Sequence, residues 1–185
     1  MWVIGIILLL AVIAGIVIFN RLVRARNMVN EAWSGIDVQL RRRHDLVPNL
    51  VEAVEGYSKH ERTLFEEITQ TRVESLKAES AKARGEAETT LTGQLKTLFA
   101  VAEAYPDLKA SSNFIELQKG LVEIEDQIQY ARRYYNGAVR DYNIIAESFP
   151  SNLLANTFGF RKREFFEIEF ATERQAPEVA FQSSN

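Results

Sequence analysis

Few residues in this chain are of a type and spacing that do acid–base, nucleophilic or metal chemistry. The two histidines, His44 and His60, stand sixteen positions apart and belong to no HExxH zinc helix. A carboxylate-bridged di-metal centre in a helical bundle needs Glu three residues before each His, and Arg41 and Tyr57 occupy those places. Glu66 and Glu67 are adjacent, so on a helix they point apart and do not form a carboxylate pair. With no Cys there is neither a thiolate nucleophile nor a disulfide framework, and no Gly-rich phosphate loop follows a strand pattern. The sequence therefore predicts no catalytic residue, no cofactor and no metal. His44 beside Asp45 and His60 beside Glu61 read as surface residues, and a hydrolase built on the two histidines is the enzymatic alternative.

The charged residues that stand out lie together. Asp37, Arg41 and Asp45 are four apart and share one helix face with alternating sign. As a solvated face each pair contributes a few tenths of a kcal/mol. Arg43 is different, because it fills a gap in an apolar stripe: Val29, Trp33, Ile36, Leu40, then Val47, Leu50, Val54 and Tyr57. It either snorkels out of that stripe, the favoured reading, or enters a buried network or a subunit interface. The unbroken 3–4 spacing predicts one helix from Val29 to Tyr57. Pro48 inside it removes a bond to the carbonyl of His44, so the helix either kinks there or restarts with Asp45 as N-cap; continuous register favours the kink.

The elements that must position these groups begin at a membrane. Trp2 to Phe19 is an uncharged apolar run, long enough as a helix to cross a hydrocarbon layer of roughly 30 Å. No Lys or Arg precedes it and no small-x-small cleavage pattern precedes the first charges, so a retained anchor is expected rather than a cleaved signal. Trp2, Val3 and Phe19 mark its ends. Arg21, Arg24 and Arg26 follow directly, which places the domain in the cytoplasm and the N-terminus outside the inner membrane. A periplasmic or extracellular domain is the alternative. The 22 basic and 25 acidic residues nearly balance, so nothing draws the chain to nucleic acid.

Further along, the stripe continues through Leu64, Ile68 and Leu76 and then fades, with Gly85 and Thr89-Thr90 predicting a break between about 80 and 90. Leu91, Leu95, Leu98, Ala102 and Tyr105 form the next stripe, stopped by Pro106, and residues 106–112 read as a loop. Asn113 is the expected N-cap of a long helix whose seam runs Phe114, Leu117, Leu121, Ile124, Ile128, Ala131, Tyr135, Ala138, Tyr142, Ile145 and Phe149, spaced three and four throughout like a coiled coil. Ile115, Val122, Tyr134 and Val139 widen it toward a bundle interior, and Tyr134, Tyr135 and Tyr142 read as core with hydroxyls reaching outward. After Pro150, Phe166, Ile168 and Phe170 alternate with Glu167 and Glu169, a strand period. Phe160, Arg161, Lys162 and Arg163 form a candidate lipid-contact patch, weakened by the neighbouring Glu164, Glu167 and Glu169; a tail packed on helices is favoured.

Three segments, NEAWSGIDVQLRRRHDLVPNLVEAVEGYSKHE (30–61), AVAEAYPDLKASSNF (100–114) and ARRYYNGAVRDYN (131–143), with a later PEVAF (177–181), resemble the signature of the LemA family. Trp33, Asp37, Arg41, Arg43, Asp45, Pro48 and Pro106 fall in these motifs. The resemblance implies a membrane-anchored antiparallel helical bundle with no established enzymatic activity. It further implies kinship with proteins implicated in forming or shaping bacterial membrane vesicles, notably magnetosome membranes. The expected architecture is all-α: an anchor over 1–20, a bundle of three to four long helices over 21–150, and an irregular or short-strand tail over 151–185. The function expected is a non-enzymatic scaffold touching the lipid bilayer and forming homo-oligomers, involved in membrane organisation or remodelling. The alternative is a membrane-tethered signalling or adaptor module with a protein partner.

Overall fold

The computed structural model describes residues 1–58 and 60–167. They fold into six helices: α1 (Trp2–Glu55), α2 (Arg62–Lys77), α3 (Ala81–Glu103), α4 (Pro106–Lys109), α5 (Ser112–Glu147) and α6 (Ser151–Thr157). No strand occurs among the described residues. Of the predicted strand, Phe166 and Glu167 belong to no strand, and residues 168–170, like the PEVAF segment, lie outside the described residues.

The apolar run and the first amphipathic segment form a single helix of 54 residues, with no interruption at residue 20. Its N-terminal part is long and apolar enough to cross a membrane and is wholly uncovered by the rest of the fold. Burial starts at Leu22 and follows Val29, Ala32, Ile36, Leu40, Arg43, Val47, Leu50 and Val54. The helix runs through Pro48 with the same stripe buried on both sides, so no second helix begins at Asp45. Pro48 leaves the His44 carbonyl without its helical donor. The Arg72 Nε of α2 donates to that oxygen at 2.7 Å, turning the defect into a tie between α1 and α2.

α5 lies antiparallel along α1, with Trp33 against Tyr135 and Arg43 against Glu125. Two apolar clusters result. One joins Leu22–Leu40 of α1 to α5 from Ile124 to Ala146, to α6, and to Phe160 and Phe166. The other joins Val47, Leu50 and Val54 to Phe65 and Ile68 of α2, Leu91–Ala102 of α3, Leu108 of α4, and Phe114 and Leu121 of α5. A fully buried Leu or Ile in such a cluster contributes about 1.5–3 kcal/mol.

Several sequence expectations need correction. The break falls at 78–80, where Ser80 Oγ accepts the Ala83 amide at 3.1 Å and caps α3. Gly85, Thr89 and Thr90 lie inside α3, the two hydroxyls bonding back to the carbonyls of Gly85 and Glu86. The expected loop after Pro106 contains α4, because proline at the first helical position pre-sets φ and Leu108 is pinned in the core. α5 starts at Ser112 after Ser111, so Asn113 is inside the helix and caps nothing. On α2 the buried positions are Phe65, Ile68, Thr71 and Ser75; Leu76 faces out, as do Ile115, Val122 and Tyr134 on α5 and Tyr57 beyond α1.

Candidate functional site

Between the two apolar clusters lies a largely buried ionic node. Arg43 enters it from the α1 stripe, fully buried, as is Glu88 from α3. The Arg43 guanidinium pairs with the Glu88 carboxylate, donates to Thr92 Oγ1 at 3.0 Å and to Glu125 Oε1 at 2.5 Å, and reaches the Glu88 carbonyl. Glu88 Oε1 also accepts from Ser75 Oγ and lies 2.7 Å from His44 Nε2. Four helices thus converge on one carboxylate and one guanidinium. The α2 stripe turns from Phe and Ile to Thr and Ser where it meets this node, because a buried carboxylate needs donors rather than methyl groups.

Arg43 therefore does not snorkel to solvent, and His44 is not a surface residue but 1% exposed. The long Arg side chain stays inside because two acids and a hydroxyl meet it there. A second, outer cluster hangs on Asp37, which takes Arg41 Nε at 2.8 Å and Arg84 Nη1 at 2.8 Å, with Arg84 also stacked over Trp33. Asp45 and His60 are exposed and stand apart from both clusters.

Burial, then the charges of Arg43, Arg84 and Arg72, lower the His44 pKa from 6.5 to about 4, with Asp37 opposing. At neutral pH the ring is uncharged, with Nε2 directed at Glu88 Oε1, an acceptor, and Nδ1 buried without a partner. Unfolded chains take up this proton first, so the contribution of neutral His44 is complete above pH 6.5 and is lost as pH falls toward 4. His44→Gln keeps a donor without a titrating ring. Its unfolding free energy should fall less than the parent's between pH 6.5 and 4, by about 2 kcal/mol after allowing for solvent screening. Urea titrations of both proteins at each end of that window check it.

The other constructed feature is a clamp on residues 160–167. Asn143 donates from Nδ2 to the Arg163 carbonyl at 3.0 Å and accepts the Arg163 amide at 2.9 Å. One heptad earlier on α5, Asn136 does the same to Phe166, at 3.0 and 2.9 Å. Tyr142 and Tyr135 donate to the Arg161 and Glu164 carbonyls, each at 2.9 Å. Their hydroxyls reach this strap rather than solvent, and burial raises both above the ordinary tyrosine pKa. Where the strap passes α3, a methyl group on Gly85 would collide with the Glu167 carbonyl. Gly85→Ala should therefore destabilise the fold by about 1–2 kcal/mol despite alanine's better helix propensity. Thermal unfolding checks the sign.

Phe160 is buried edge-to-face on Phe19, with Arg26 over its ring at 5.0 Å, so the predicted lipid patch loses its aromatic. Lys162 pairs with Glu147 at 3.0 Å, and Arg161 and Arg163 are exposed. Phe19, expected in lipid, packs on Phe158 and Phe160, whereas Trp2 and Val3 are uncovered. A groove of about 800 Å³ lies between α3 and the strap, with Lys82, Glu86, Lys162 and Glu164 on its walls. No cluster able to hold a metal occurs among the described residues.

Together these features define an all-helical domain continuous with an uncovered apolar helix and locked around an internal ion pair. The chain belongs to the LemA family, whose sequence profile matches residues 32–181. It is 27% identical to Magnetosome protein MamQ 2 of Paramagnetospirillum magneticum, over 80% of this chain and 64% of that protein. It is 25% identical to Magnetosome protein MamQ of Magnetospirillum gryphiswaldense, over 72% of this chain and 58% of that one. Identity to Protein LemA of Metamycoplasma hominis is 30%, with coverages of 72% and 58%. The chain thus spans less than two thirds of the length of these curated relatives.

Glu88, Ser75, Thr92, Glu125, Arg72, Arg84, Asn136 and Asn143 were not singled out by sequence reasoning. Glu88 carried a signal: it lies three residues before Leu91, in register with the α3 stripe, as Arg43 lies in register on α1.

Proposed function

We propose that this protein is a non-enzymatic, single-pass membrane-anchored scaffold that assembles with its own copies and takes part in membrane organisation or remodelling. The observation that carries this reading is α1, one unbroken helix joining an uncovered apolar segment to the helical domain. The node supports it: Arg43, His44, Ser75 and Glu88 are buried and engaged with one another. The resemblance to magnetosome proteins points toward membranes, and exposed Ile115, Val122, Tyr130 and Tyr134 on α5 offer surface to neighbouring copies. Arg21, Arg24 and Arg26 favour a cytoplasmic domain and an outside N-terminus.

Because the chain has no cysteine, Val122→Cys and Tyr130→Cys variants allow site-specific crosslinking in native membranes. A ladder or a discrete homo-oligomer is expected. Monomers alone overturn self-assembly, and a band with one other protein favours the adaptor alternative. Ala83→Cys, on an exposed turn of α3, should react with an impermeant maleimide only after the cells are opened. Labelling of intact cells overturns the cytoplasmic placement.

A further inference from the structure

The fold fixes the level at which the bilayer surface meets the domain. In antiparallel helices of equal rise, the residue numbers of facing positions keep a constant sum. Trp33 with Tyr135 and Arg43 with Glu125 have the same sum, and the position it places opposite Phe19 is Phe149. Phe158, beyond α6, touches Phe19 directly at a centroid distance of 5.0 Å. The corner where α5 ends and α6 begins is therefore level with the last residue of the apolar run. Its inner face, Leu154 and Ala155, packs on the core. Its outer face shows Phe149, Leu153 and Phe158, which are 79%, 59% and 57% exposed.

Those three side chains are poorly placed for water and well placed for the boundary between headgroups and acyl chains, where aromatic residues concentrate. The charges around them agree. Arg21, Arg24 and Arg161 are exposed near the corner, whereas its acids Glu147 and Asp141 are paired with Lys162 and Arg140. We propose that the α5–α6 corner, through Phe149, Leu153 and Phe158, inserts into the surface of the bilayer that holds α1, giving the domain a second attachment to lipid. This rests on α1 spanning the membrane. Continuity with that span selects lipid as the occupant of the face rather than a second protein.

The test uses full-length single-cysteine variants F149C, L153C and F158C, labelled with an environment-sensitive nitrobenzoxadiazole dye. They are placed in nanodiscs of phosphatidylethanolamine and phosphatidylglycerol. E52C, exposed near the far end of α1, is the aqueous control, and L9C is the span control. All three corner positions should emit to the blue of E52C and be quenched by nitroxide lipids roughly threefold more strongly than E52C. Quenching no stronger than at E52C, with L9C strongly quenched, overturns the proposal and leaves the span intact. A blue shift without lipid quenching also overturns it, by showing that protein covers the corner. An unquenched L9C removes the span and the proposal together.

Discussion

Arg43→Met destabilises the helical domain by about 3–5 kcal/mol, because it strands the Glu88 carboxylate in a site with no solvent. The lost attraction is the smaller part of that cost. Glu88 keeps only Ser75 and His44, and burial, the largest cause of the lowered His44 pKa, still opposes a compensating proton there once Arg43 is gone. Glu125 is a quarter exposed and can turn outward, so it adds little. Adding Glu88→Gln should recover most of the loss, since an amide oxygen accepts the same two bonds without a charge. Urea unfolding of the detergent-solubilised chain, followed by Trp33 fluorescence in a Trp2→Phe background, measures both. Equal destabilisation of the single and double variants would show that the two residues are not coupled.

The second large effect is at the strap. Asn136→Ala with Asn143→Ala should lower its local opening free energy by about 3 kcal/mol, from four lost bonds to backbone of about 1 kcal/mol each less partial rehydration. The fit these bonds exploit is numerical. Seven residues of helix advance about 10.5 Å and three residues of extended chain about 10 Å, so asparagines one heptad apart meet every third residue of a strand-like segment. Trypsin should then cut at Arg161, Lys162 and Arg163 roughly a hundredfold faster, as expected for opening that much easier. The α1–α5 seam should keep its hydrogen-exchange protection. Unchanged cleavage would mean that the apolar contacts of Phe160 and Phe166 hold the strap unaided.

Whatever depends on period was readable in the chain. The α1 stripe and the α5 seam from Phe114 to Tyr142 came through because apolar side chains at 3–4 spacing have few other solutions. The seam's last member failed: Phe149 lies past the end of α5 and faces out. Arg43 was visible as an anomaly but its favoured reading was wrong. A guanidinium goes inside only if an acid waits there, and Glu88 is 45 residues distant in sequence. On α2 the stripe was read through Leu64, Ile68 and Leu76, whereas the buried face continues through Thr71 and Ser75, where the core turns polar. Gly85 marked a close crossing of two chain segments rather than a helix end, a distinction that needs the Glu167 backbone to be seen. Of the alternating segment only Phe166 and Glu167 lie among the described residues, and there the Phe166 backbone is held by the side-chain amide of Asn136.

The absence of any joint in α1 has a mechanical consequence. A domain tethered by a flexible linker ignores the angle of its anchor, but here the uncovered apolar turns and the buried stripe share one shaft. From Asn20 to Arg43 that shaft is about 35 Å long, so a tilt of about 20°, ordinary for a membrane helix, swings the Arg43 level sideways by about 12 Å. With α1 spanning a bilayer as proposed, bilayer thickness, through tilt, sets where each domain points. Neighbouring copies in a thin or thick patch of membrane would lean alike, a means of alignment that requires no contact between them.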